Sequence, residues 1–299
     1  MRYRPLGPSG AIVSVISLRL ATDATRSRAA DWVSFVFAAL ENGISSFEVG
    51  ANDPVVIEGL AEALKSVDRR LVFVSWRLEA PGARARDLSP QGLSAQIGAA
   101  LARTGLDYLD ALMIEEPKPG EVTPEAFKAL DKAKASGSAR FIGMIGDGDT
   151  VDEHLTTGGF DLLTTPFNIT AGWKERNRVR SAAAAEMAII GCQPYPRTFH
   201  AAAAAAFKAG AGKPGEEALR GVGSYTFLDR THGWTAEAIC LAYALTEPSL
   251  ATVQVQPTSI AHLEQLAAVP EREMPPGLAA QIEMARFSPD PTEQDRRRA

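Results

Sequence analysis

Tyr108-Leu109-Asp110-Ala111-Leu112-Met113-Ile114, a helical stretch over 123–135, and Ala139-Arg140-Phe141-Ile142-Gly143-Met144-Ile145 together decide the fold. The two outer runs are short and almost continuously apolar, as strands buried on both faces must be. The stretch between them has a helix pattern, and Ser136-Gly137 ends it before Phe141 returns to strand. A strand, a helix and a strand joined by short links predict parallel pairing.

Working outward, the same unit recurs along the chain. Residues 13–18, 44–47, 71–76, 108–114, 139–145, 162–165, 188–192 and 250–255 read as eight strands. Residues 28–41 carry Trp32, Phe35, Val36 and Ala39 at helical spacing, and Asn42-Gly43 closes that helix. Residues 93–103 form a further helix. Eight repeats predict a closed α/β barrel of the (β/α)8 or TIM type, over residues 1–299 as one domain. The longest break, 194–233, is expected to be an elaborated loop on the ligand-binding face. Within it, Ala201 to Ala206 signal helix without an amphipathic face, while 210–215 and 221–223 are loop-like. Arg4-Pro5-Leu6-Gly7-Pro8 has turn chemistry and suits a small N-terminal cap.

The chain is 45% hydrophobic and 22% charged with net charge −5, which gives no nucleic-acid or anionic-membrane signature. Arg296, Arg297 and Arg298 follow Asp290, Glu293 and Asp295 and read as a solvated terminus. Cys192 and Cys240 make neither a disulfide framework nor a zinc pattern, so a reducing, cytoplasmic setting is expected. No apolar targeting region opens the chain, and no apolar run approaches the ~18 residues of a membrane span.

Several segments resemble the aldo-keto reductases. Met1-Arg2-Tyr3-Arg4-Pro5-Leu6-Gly7 is similar to that family's N-terminal hairpin, and Asn42-Gly43-Ile44 to the approach to its second strand. Gly105-Leu106-Asp107-Tyr108-Leu109-Asp110 matches the lead into its fourth. Phe141-Ile142-Gly143, Phe167-Asn168 and Gly233-Trp234-Thr235 follow in the family's order. The resemblance implies a barrel capped by a hairpin. It also implies carbonyl reduction by hydride from NAD(P)H, with a tyrosine proton donor assisted by Lys, Asp and His.

At the positions of that tetrad this chain has other residues. The aspartate position falls on Glu48, the tyrosine on Asp53, the lysine on Arg77 and the histidine on Glu115. No tyrosine occurs between Tyr3 and Tyr108. An aspartate with an ordinary pKa of roughly 4 is ionised near neutrality and donates no proton. A guanidinium keeps the positive charge but does not exchange its proton. The nicotinamide-holding positions are altered too. Ile145 and Gly146 replace the amide-binding pair, Thr164 stands for a glutamine, and Cys192 stands for the stacking aromatic. Ser259 lies in a phosphate segment without Lys or Arg, and Arg19 replaces a glycine. NADPH is thus implied by resemblance alone.

Three readings follow. The first is a ligand- or partner-binding pseudo-reductase without hydride transfer. The second is an NAD(P)H-dependent oxidoreductase with its donor relocated to Tyr195 or Tyr225. The third is a lyase or isomerase using Glu48 and Glu115. Glu48, Asp53, Arg77 and Glu115 are expected to converge at the C-terminal mouth. Their alternative is a Glu48–Arg77 ion pair with a solvated Glu115. No metal is expected, since Arg77 would repel a cation from Glu48, Asp53 and Glu115. His154, His200, His232 and His262 form no ligand pattern, although His200 and His232 lie where they could enter the mouth. Gly146-Asp147-Gly148 reads as a turn. Trp32 and Trp173 are expected to pack inside; Trp76 and Trp234 could face a pocket, with the core as the default.

Overall fold

The structure, a computed structural model, describes residues 1–23, 25–78, 86–208, 219 and 222–287. The expectations for 210–215, Gly221 and the terminal arginines lie outside the described residues.

β1 (Tyr3–Pro5) and β2 (Ile12–Ser14) pair antiparallel as a hairpin. Eight parallel strands follow: β3 (Ile16–Leu20), β4 (Ser46–Gly50), β5 (Phe73–Leu78), β6 (Leu109–Glu115), β7 (Ala139–Ile145), β8 (Leu162–Pro166), β9 (Ala188–Cys192) and β10 (Leu250–Val255). They close in the order β10-β3-β4-β5-β6-β7-β8-β9, a (β/α)8 TIM barrel. The helices are α1 (Ala29–Glu41), α2 (Pro54–Leu64), α3 (Pro90–Thr104), α4 (Pro124–Ala135), α5 (Asp149–Thr157), α6 (Trp173–Ala184), α7 (Arg197–Lys208), α8 (Ala236–Ala244), α9 (Ile260–Ala267) and α10 (Leu278–Phe287).

Local chemistry sets these boundaries. Ser89, Thr123, Thr235 and Ser259 each accept a hydrogen bond from the backbone N–H three residues on, at 3.1–3.2 Å. Each thereby satisfies a donor left open at a helix start. Proline occupies the first turn of α2, α3 and α4, where its missing N–H costs nothing. Asn42 ends α1 and Gly43 follows at φ +77°. A Cβ at Gly43 would lie 2.7 Å from the Met1 Cβ, so that turn needs glycine on two counts.

The hairpin seals the barrel floor. Leu6 and Val13 are fully buried and cluster with Phe73, Ala111, Met113 and Leu162. Arg4 ties it to the end of α8 and to β10 through the Leu245 and Leu250 carbonyls, at 2.7 and 2.8 Å.

Three strand expectations shift most, while 108–114 moves by one residue. Residues 13–18 are two strands, because the chain turns at Val15. There the Ser14 hydroxyl donates to the Ile16 carbonyl at 2.6 Å and accepts from the Ser45 amide at 3.1 Å. The expected strands 44–47 and 71–76 both lie two residues further on, which puts Glu48 and Arg77 inside strands. The break at 194–233 holds α7 and a 3-10 segment, Gly223–Arg230. Trp32 and Trp76 are core residues, but Trp173 is 73% exposed at the start of α6, correcting the packing expectation. No helix among the described residues is long and apolar enough to cross a membrane.

Candidate functional site

Side chains alternate along a strand, so Phe73, Ser75 and Arg77 on β5 share one face, as do Ala111, Met113 and Glu115 on β6. Their lower members form the barrel floor. Their upper members, Arg77 and Glu115, line a cavity of about 550 Å³ at the C-terminal mouth. Register puts Arg19 beside Glu48 on β3 and β4, and Gly50 beside Arg77 on β4 and β5.

Arg77 is the centre of this mouth. Its Nη1 donates to Glu48 Oε1 at 3.1 Å, and its Nη2 is ion-paired with Glu115 Oε1. Arg19 Nη1 lies 3.7 Å from the same Glu48 oxygen. Glu48 is 3% exposed and the Arg77 side chain 10%, so the pair is out of water. Glu115 is therefore paired rather than merely solvated. Arg86 fixes the strand end that carries it: its guanidinium donates to the Glu115 carbonyl, to the Glu116 carbonyl at 3.2 Å, and to Glu121 at 2.7 and 3.0 Å. Glu116 sits at φ +42°, a strained turn that this strap helps hold.

Asp53 does not join them. It precedes α2, and its Oδ1 accepts from the Thr22 amide at 3.1 Å and from the Thr22 hydroxyl. Thr22 lies in the loop after β3, and its two donors turn the Asp53 carboxylate to that loop. Of the four tetrad-equivalent positions, three converge. Among the described residues, no group of three His, Cys, Asp or Glu could hold a metal ion.

The positions equivalent to cofactor contacts divide similarly. Arg19, Ile145 and Cys192 line the mouth. Thr164 is paired with Ile145 across β7 and β8 and fully buried, and its hydroxyl has no partner among the described residues. The Gly146 amide donates to the Thr164 carbonyl at 2.9 Å, and Gly148 is the N-cap residue of α5. Ser259 lies outside the mouth lining and caps α9. Burial pushes the Cys192 thiol up from its ordinary 9.0, with the Glu48 and Asp147 charges adding to the effect.

Tyr195 and His200 enter the mouth from the segment after β9, with ring centroids 4.5 Å apart and edge to face. Burial also pushes the Tyr195 phenol up from 10.0, helped by Cys240, Asp229 and Glu237. Tyr225 lines a different cavity, and His232 is not in the mouth lining. His262 pairs with Glu237 at 3.0 Å, and Trp234 lies beside them in a side groove under the Arg272 guanidinium. Sequence reading missed Arg197, Gln254 and Glu237 in the mouth. Gln254 had a signal, since a polar residue near the end of an apolar barrel strand faces the mouth. Arg197 and Glu237 had none, because the path of their loops was not legible.

The chain as a whole is similar to known proteins. A curated relative, NADH-specific methylglyoxal reductase from Escherichia coli (strain K12), is 32% identical over 88 residues. That match covers 28% of this chain and only 27% of the relative, about a quarter of its length. Among solved structures, aldo-keto reductase AKR11C1 from Bacillus halodurans superposes in its holo form with a TM-score of 0.75 at 17% identity. The match covers 95% of this chain and 96% of that one. Its apo form gives 0.73 with the same identity and coverage. The aldo/keto reductase family model matches residues 18–285, and the chain belongs to that family.

Proposed function

We propose that this chain is a non-redox member of its family, which holds a small polar ligand in the barrel mouth without tyrosine-assisted hydride transfer. The observation that carries the reading is Arg77, clamped between Glu48 and Glu115 where the tetrad would act. A guanidinium releases no proton at ordinary pH, and a carboxylate bound to one is an acceptor rather than a donor. Arg19 and Arg197 at the opening, set against Glu237, favour an anionic ligand. The cavity volume lies within the roughly 300–1,000 Å³ of small-molecule sites. A cytoplasmic setting, inferred from the two unpaired cysteines, is part of this reading.

The fold family implies a nicotinamide dinucleotide, but the residues present do not suit one. Ile145 offers the ring amide no hydrogen bond, and the Gly146 amide is already committed to Thr164. Cys192 offers no flat surface for the ring. Arg19 projects into the lining beside Glu48, and Ser259 is engaged as a helix cap. No chemical step is derived through that cofactor.

A second reading has one observation in its favour: Tyr195 lines the mouth and could supply the proton of an NAD(P)H-dependent oxidoreductase. Its burial works against this, because a donor phenol needs its pKa lowered. The lyase or isomerase reading needs a carboxylate free to act as base, and Glu115 is engaged by Arg77. Fluorescence titration with NADH and NADPH separates the first two readings. The proposal expects no saturation below about 1 mM. Saturable binding in the micromolar range would return the chain to the oxidoreductase reading.

A further inference from the structure

Outside the mouth, a larger cavity of about 1110 Å³ opens between α6, α7, the 3-10 segment Gly223–Arg230 and α10. The most exposed aromatic side chains among the described residues, Phe287 at 79% and Trp173 at 73%, both line it. Large apolar groups left in water singly are ordinary, but their gathering around one concavity marks a binding surface. Deeper in, Phe199 and Tyr225 form an aromatic wall with centroids 5.3 Å apart.

The same cavity is lined by Arg176, Arg180 and Arg286. Arg176 is held in place, donating to the Tyr243 hydroxyl at 2.6 Å and to the Ala171 carbonyl at 3.1 Å. Glu283 serves two of the cations, lying 2.5 Å from Arg286 and 3.5 Å from Arg176. Arg180 is exposed and has no carboxylate partner among the described residues. Glu247 is on the rim, and its Oε1 accepts from the Ser249 amide at 3.1 Å. Among the described residues, cations therefore outnumber carboxylates here. Arginine beside exposed aromatic faces suits a ligand with a flat ring and an attached oxyanion.

We propose that this outer cavity binds a planar aromatic anion, a carboxylate or sulfonate, whose ring packs on Trp173 and Phe287 and whose charge faces Arg180. The concave shape, just above the ~300–1,000 Å³ of small-ligand sites, fits a small molecule better than a flat protein interface. The site is separate from the mouth and does not rest on the function proposed for it.

The probe is anilinonaphthalenesulfonate, followed by its own emission and by energy transfer from tryptophan in the full chain. Arg180→Glu and Trp173→Ala change exposed side chains, and circular dichroism checks that each variant folds. Each should weaken the probe at least about tenfold, while the mouth variant Arg197→Ala should leave it within about twofold. The neutral analogue N-phenylnaphthylamine should be insensitive to Arg180→Glu. Probe affinity unchanged in both outer-cavity variants would overturn the assignment, as would an equal loss in Arg197→Ala. Combined Asp290→Asn, Glu293→Gln and Asp295→Asn should not alter probe affinity. A tenfold tightening there would assign the cavity to the chain's own acidic tail and also overturn it.

Discussion

Two carboxylates share the Arg77 guanidinium at the mouth, and one of them, Glu48, is 3% exposed. Taking charges out of water is costly, and removing one partner of such a set leaves the other charge buried and uncompensated. Arg77→Met should therefore cost about 3–5 kcal/mol in urea denaturation. The double variant Arg77→Met with Glu48→Gln should recover part of that loss. A change below about 1 kcal/mol in the single variant would mean that the cluster is solvated and ordinary. Cys192 makes a second claim at this scale. Its thiol is pushed up by burial and by the Glu48 and Asp147 charges, and burial does the same to Cys240. A disulfide reagent at about pH 8 should label neither thiol rapidly in the native protein, and both once it is unfolded. Rapid native labelling of Cys192 would show the mouth to be wetter and more electropositive than described.

The strands carry this site, and the connections aim it. Arg86, at the end of the β5–α3 connection, binds Glu121 and the carbonyls of Glu115 and Glu116. Burial raises the Glu121 pKa, but the Arg86 hydrogen bonds and charge, together with the Lys118 amide, outweigh it. The net value falls below the ordinary 4.5. A carboxylate depressed in the folded state stabilises it above its ordinary pKa, and that contribution is lost as pH falls through the folded value. Urea midpoints followed from neutral pH down to about pH 3 should fall more steeply in the wild type than in Glu121→Gln. Parallel curves would deny the strap a role in stability.

The barrel was legible in sequence because continuous apolar runs and helix caps are local signals, and 139–145, 188–192 and 250–255 match their strands residue for residue. The Ser14 turn was not legible, since its partner Ser45 is remote in sequence. The Glu48–Arg77 pair could be read from adjacent strands. The Asp53–Thr22 contact could not, because a loop path decides it. Trp173 was misread because helical spacing alone does not say which face is covered.

At the scale of the whole molecule, the family barrel is kept and its hairpin still plugs the floor, while the mouth holds an ion-paired cluster. Fold does not dictate chemistry; the groups in the site do. The most direct measurement is steady-state oxidation of NADPH and NADH by the purified protein with simple aldehydes. The account predicts rates indistinguishable from those without protein. Sustained dinucleotide oxidation coupled to alcohol formation, and abolished by Tyr195→Phe, would contradict it.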